Sequence, residues 1–254
     1  ETPYPVNFLL FDYKGEFSDP ANAQWLNFFD VDRTCILDPV QKPLPFTPFK
    51  DFSGRTINEI NLYSTEMANA LCAIDWASVS ANMSNRLSEA IVDAYKQTAG
   101  KPITFETMLK AYQAKMQNPD KDDSVTSVLK QLVRNHLFAQ EDEVNLVDEC
   151  LIVKMDSFPK DGPIAKAIVY FIISKLNNTY ELLPKQAMND DYVQIRHFTI
   201  IDEAHYMLDF DNHPLRNLIA VGRNKGLSII LATQNMDSFK SKHFDFYANA
   251  QYPL

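Results

Sequence analysis

Two acids and two polar side chains, each pair at the end of an apolar run, form the set in this chain best able to do chemistry. Residues 198–201 (FTII) lead straight into Asp202 and Glu203, and residues 227–232 (LSIILA) lead into Thr233 and Gln234. A strand buried on both faces cannot carry charge along its length, so acids at its end mark where it emerges at the C-terminal edge of a sheet. At such an edge Asp202 could hold Mg²⁺, Glu203 could orient and deprotonate an attacking water, and Gln234 could report a γ-phosphate. Phosphoryl transfer asks mainly for positioning and charge stabilisation, so a metal acid, a water-orienting acid and a polar reporter form a coherent set. A plainer reading competes, because two acids before a helix also serve as an N-cap with favourable dipole charge. The second strand, ending in ATQ, favours the chemical reading.

The elements that must position these residues follow from the patterning. Residues 6–11 (VNFLLF) and 34–37 (TCIL) read as strands, the first entering a polar turn with Gly15 and the second ending on Asp38. The proline-rich stretch 41–49 (QKPLPFTPF) cannot be helical and is expected to lie extended across the surface. From 57 to about 140 the pattern turns helical. Ser84 is placed to cap one helix, and Thr104 and Ser124 begin two more, each with an apolar stripe that reads as core. Strand signals resume at 150–155, Pro163 fits the first position of a helix, and Pro214 fits the first turn of a helix over 215–221. The polar stretch 189–191 reads as a loop. No internal repeat is visible. The expected architecture is α/β: a mostly parallel sheet flanked by helices, with an inserted helical subdomain. Residues 1–56 and 149–254 would form the core and 57–148 the insert.

Composition bounds the partners. The 254 residues carry a net charge of -9, so contact with nucleic acid has to be local rather than a global basic surface. Lysines at 160, 166, 240 and 242, with His243, read as an ordinary solvated face. Cys35, Cys72 and Cys150 are odd in number and lack metal-ligand or disulfide spacing, which suits a reducing cytoplasm. The longest apolar run, 167–173, is far shorter than the roughly 20 residues a bilayer span needs. A secretory leader is not visible at the start of the chain. The six glycines, at 15, 54, 100, 162, 222 and 226, nowhere form GxxxxGK[ST], the loop that cradles phosphates. Either the chain is not an ATPase, or it is a piece of a longer protein that begins after such a loop; its opening almost directly on a strand and its closing on AQYPL favour the second expectation.

Four pieces in order, FLLFDYKGEF (8–17), PFTPF (45–49), FTIIDEAH (198–205) and VGRNKGLSIILATQ (221–234), resemble the HerA/FtsK-like motor ATPases, a family that includes the TraG-type conjugation coupling proteins. PFTPF departs from the family's Asn-Pro. LIVKMDS (151–157) is similar to the family's additional strand. The resemblance implies a RecA-like fold for the sheet and an ATP-driven DNA translocase or helicase motor working with ATP and Mg²⁺ as a homo-oligomeric, hexameric ring. It implies Asp202 as the magnesium acid, Glu203 as the catalytic base and Gln234 as the sensor. Asp12, Lys14, Asp202 and Thr233 would lie against the nucleotide, and Arg223 would complete a neighbouring subunit's site. An arginine suits that task because its fixed fork spreads charge over developing phosphoryl oxygens, although a helix-end arginine satisfying the dipole is the plainer role. Within the family, the helical insert and the residues around 198–205 are similar to the ATPase of bacterial restriction systems acting on DNA that lacks phosphorothioate modification, which implies other restriction subunits as partners.

Two other readings stand beside this one. The letters DEAH also occur in superfamily-two helicases, but those continue with S-A-T and place a second RecA-like domain downstream. A non-catalytic ATPase-like scaffold, binding partners in a DNA-processing complex, has no need for an acid at Glu203.

Overall fold

A computed structural model describes residues 6–22, 33–74, 79–189, 192–208, 210, 212–234, 236–239 and 245–246. The chain divides into two compact units, Glu1–Leu44 with Glu143–Leu254, and Pro45–Asp142 between them.

The first unit is built on a five-stranded sheet. Its strands are β1 (Asn7–Asp12), β2 (Thr34–Leu37), β3 (Cys150–Lys154), β6 (His197–Ile201) and β7 (Leu227–Leu231), in the order β2-β3-β1-β6-β7. Every neighbouring pair is parallel. β1 is central, and from Phe8 to Asp12 it is buried, which is why its sequence is an unbroken apolar run rather than an alternating one. The register sets the two faces. Phe8 and Leu10 align with Cys150 and Ile152 on one side and with Phe198 and Ile200 on the other. These residues form one apolar cluster with Phe17. Leu9 and Phe11 point the opposite way, in register with Leu151 and Val153.

The crossover after β3 is the long helix α5 (Pro163–Leu182). Pro163 opens it where its missing N–H costs nothing, and residues 167–174 are buried all round. A short antiparallel pair, β4 (Met188–Asn189) with β5 (Tyr192–Val193), takes in Asn189, expected in a loop; 190–191, expected in the same loop, lie outside the described residues. Between β6 and β7 come α6 (His205–Leu208), α7 (His213–Val221) and a 3-10 turn, Gly222–Lys225. Asn212 caps α7 by accepting from Leu215 N at 3.1 Å, so the helix starts with Pro214 in its first turn, as the sequence predicts.

The second unit stacks α1 (Ile57–Ile74), α2 (Ala81–Gln97), α3 (Phe105–Ala114) and α4 (Ser124–Asn135), each packed on the next. Capping boxes start the last two. Thr104 and Thr107 exchange bonds at the head of α3, and Asp123 and Thr126 do so at the head of α4. α2 begins four residues earlier than predicted. Ser80 is its cap, and the Ser84 hydroxyl instead donates to Asn69 Oδ1 on α1. The stretch 45–49 is also not a surface strap, because all five residues are buried. Phe46 lies against Phe138 and Phe49 against Phe105, with ring centroids 5.7 and 4.8 Å apart. Two prolines leave this stretch few donors to satisfy, and the Asp142 carboxylate accepts one of them, Thr47 N. Among the described residues no helix is long and apolar enough to cross a membrane, and all three cysteines are free.

Candidate functional site

The parallel strands deliver an acid to one edge of the sheet again and again: Asp12 from β1, Asp38 after β2, Asp156 after β3, and Asp202 with Glu203 after β6. Two of these serve the fold. Asp38 pairs with Lys154 at 3.7 Å. Asp12 is fully buried, and its carboxylate accepts Gly15 N at 2.9 Å, Phe17 N at 3.0 Å, Ser18 N at 2.8 Å and Ser18 Oγ at 2.8 Å. A carboxylate so occupied folds its own loop. Asp12, expected against the nucleotide, has both carboxylate oxygens committed to the turn that carries Lys14. Gly15 makes that turn possible. Its φ is +75°, and a Cβ there would sit 2.8 Å from Asp156 Oδ2.

Glu203 is the hub of the edge. Its side chain is 8% exposed and meets Lys14 Nζ at 2.5 Å through Oε1. Gln234 Nε2 donates to the same oxygen at 3.2 Å, and His205 Nδ1 lies 3.4 Å from Oε2. Thr233 Oγ1 lies 3.3 Å from that same Nδ1, so His205 bridges the acid and the end of β7. The hydrogen bond from Lys14 is the largest influence holding the Glu203 carboxyl below the usual carboxylate range; the Lys14, His205 and Lys160 charges add to it, and burial opposes it. Reciprocally, that bond raises the Lys14 ammonium above its ordinary value.

The backbone of Glu203 is strained to achieve this. Its φ is +49°, a left-handed conformation uncommon for a residue with a Cβ. The hydrogen-bond ladder continues past both strands to hold it, with Ala232 N donating to Ile201 O at 2.9 Å and Ala204 N to Ala232 O at 2.7 Å. Strain that the surroundings over-determine in this way is characteristic of functional positions.

Asp202, Glu203, Lys14, Thr233 and Gln234 thus share the C-terminal edge of neighbouring strands β1, β6 and β7. Arg223 does not. It is exposed in the turn before β7, next to Gly226, which accepts from Arg196 N just ahead of β6. It therefore stands at the N-terminal edge, a strand's length of roughly 15 Å from the acids, and cannot reach them within its own chain. Two residues near the acids escaped the sequence reading. Lys160, read as an ordinary surface lysine, lies 5.7 Å over the Tyr206 ring and contributes to the field on Glu203. Its position shortly after a sheet strand was the available signal. His205 had only its adjacency to the acids. Residues 240, 242 and 243 lie outside the described residues.

No group of three or more His, Cys, Asp or Glu able to hold a metal occurs among the described residues. A lone half-buried carboxylate such as Asp202 still suits Mg²⁺, which is bound through one or two carboxylates plus phosphates and waters rather than in an all-protein cage. The pattern GxxxxGK[ST] does not occur in these 254 residues.

Neither a protein-family profile nor a curated protein matches the chain. Among solved structures, VirB4 of Thermoanaerobacter pseudethanolicus superposes with a TM-score of 0.62 at 17% identity, covering 96% of this chain. The chain spans 65% of the length of that protein. A bacterial conjugative coupling protein, TrwBΔN70 in complex with sulphate, is similar at a TM-score of 0.45 and 12% identity over 96% of this chain and 68% of that one. The likeness to VirB4 establishes the fold as the RecA-like α/β fold.

Proposed function

We propose that the chain carries the catalytic edge of a motor ATPase that moves DNA, with the phosphate-cradling loop supplied outside these 254 residues. The observation that carries this reading is the convergence on one sheet edge of Glu203, held in a strained backbone, with Asp202, Lys14, Thr233 and Gln234. Asp202 would hold Mg²⁺, and when bound the metal neutralises charge on the β- and γ-phosphates. Glu203 orients the attacking water and takes its proton, and Gln234, which already donates to Glu203 Oε1, links the position of that acid to the end of β7.

Arg223 belongs to the same proposal from outside the chain. At the N-terminal edge of its own sheet it can serve only a neighbouring copy, in a homo-oligomeric ring where it spreads positive charge over the transferring phosphoryl group. The narrower assignment rests on sequence likeness around 198–205 and in the helical unit. There the chain is similar to DptH, the ATPase of bacterial restriction systems that attack DNA lacking phosphorothioate modification. On that assignment the work is done in the cytoplasm with other restriction subunits, and DNA is gripped by local loops.

Mixing variants of the complete protein tests the shared site. Arg223→Ala and Glu203→Gln are each expected to lose turnover while keeping nucleotide binding, since an exposed helix-end arginine contributes little to stability. Mixed rings join an intact base to an intact arginine at some interfaces, so ATPase activity partly returns. No return despite demonstrated subunit mixing, or a wild-type rate for Arg223→Ala alone, removes Arg223 from the mechanism.

A further inference from the structure

We infer that Lys14 is a two-position residue: it quenches the base by holding Glu203, and it is drawn off by the terminal phosphate of a bound triphosphate, which arms the site. The inference rests on the ATPase reading above and assigns how that site is switched.

Three observations lead to it. First, Glu203 Oε1 receives both the Lys14 ammonium at 2.5 Å and the Gln234 amide at 3.2 Å, and His205 Nδ1 stands 3.4 Å from Oε2. A carboxylate whose oxygens are engaged by donors is a poor acceptor for a proton from water, so catalysis requires a donor to leave. Second, Glu203 cannot be the partner that moves. It is 8% exposed, its left-handed backbone is pinned between β6 and β7, and Ala204 N is tied to Ala232 O. Third, Lys14 can move, but only through its side chain. Its backbone turn is fixed by the four bonds to Asp12 and backed by Asp156 behind Gly15, whereas the side chain is 34% exposed on a flexible four-carbon stem.

The competing anion follows from the surroundings. Asp202, the acid suited to Mg²⁺, adds to the attraction on Lys14, so the ammonium already stands in the field of the metal position, where the terminal phosphate must come. That phosphate carries more charge than a carboxylate and offers three acceptor oxygens to an ammonium with three donors. A diphosphate lacks this group and leaves Lys14 on Glu203. The pair thereby distinguishes nucleotide states, with the base free only when there is a phosphate to attack.

The test is equilibrium binding of Mg²⁺ with a non-hydrolysable ATP analogue, and separately with ADP, to the complete protein. Lys14→Met removes the charge while keeping most of the stem. It is expected to reduce the preference for triphosphate over diphosphate about tenfold, the worth of one charged hydrogen bond, with ADP affinity unchanged. Lys14→Arg, which keeps the charge, should retain most of the preference. A structure of the wild-type protein with the analogue gives a reading independent of any variant: Lys14 Nζ on the terminal phosphate and away from Glu203. An unchanged or increased preference in Lys14→Met, or a Lys14–Glu203 pair that persists beside the bound triphosphate, overturns the switch and leaves the ATPase reading standing. Failure of the wild-type protein to bind either nucleotide overturns both.

Discussion

Glu203 and His197 sit at opposite ends of β6 and illustrate two ways of burying an ionisable side chain. Glu203 remains charged because Lys14, Gln234 and His205 surround it. His197 is fully buried, with Nδ1 3.5 Å from Thr199 Oγ1, and the Leu146 backbone only partly offsets the desolvation of the ring. Burial therefore favours the neutral ring and pushes its pKa down from 6.5 to about 4. The consequence for stability has a definite sign. Between pH 6.5 and 4 the unfolded chain binds a proton that the folded chain refuses, so this contribution is complete above pH 6.5 and drains away as pH falls toward 4. The loss is on the order of 3 kcal/mol. Urea unfolding at pH 7 and pH 5 should show about 2 kcal/mol of it. His197→Gln should be distinctly less sensitive to this pH change, and equal sensitivity in the two proteins would contradict the assignment.

At the scale of elements, the loop after β1 is the delicate part. Gly15 has a left-handed φ of +75° and touches the Asp156 side chain, so Gly15→Ala adds both backbone strain and a contact at 2.8 Å. A loss of about 1–2 kcal/mol is expected from the backbone alone, measurable as a lower denaturation midpoint. Because the same turn aims Lys14, nucleotide discrimination should fall with it. A fully stable variant with unchanged discrimination would show that the turn is not held as described.

What could be read from sequence at this scale tracked how local the determinants were. β2 spans 34–37 as patterned, and the apolar runs before Asp12, Asp202 and Thr233 all proved to be parallel strands. Thr104 caps α3 because its partner Thr107 lies within the same turn. Where long-range packing decided, the reading failed. Nothing near Pro45 announces that Phe46 and Phe49 find Phe138 and Phe105, and Ser80 outcompeted Ser84 because Asn69 on α1 holds the latter. At the site, the acids and Gln234 were visible as strand ends. The structural role of Asp12 and the reach of Lys160 depend on side-chain directions that spacing does not encode.

On the scale of the whole molecule, the C-terminal edge of the sheet gathers the acids and the N-terminal edge presents Arg223. Under the proposed function, that separation assigns Arg223 to the acids of a neighbouring copy in a ring. One replacement tests whether the edge around Glu203 transfers phosphoryl groups. Glu203→Gln preserves size and the contact with Gln234 while removing the base. In the complete protein, Mg²⁺-dependent ATP hydrolysis is expected to fall by roughly a hundredfold or more while ATP binding, measured by calorimetry, persists. Turnover at the wild-type rate in Glu203→Gln would rule out Glu203 as the base and move the chemistry to another residue.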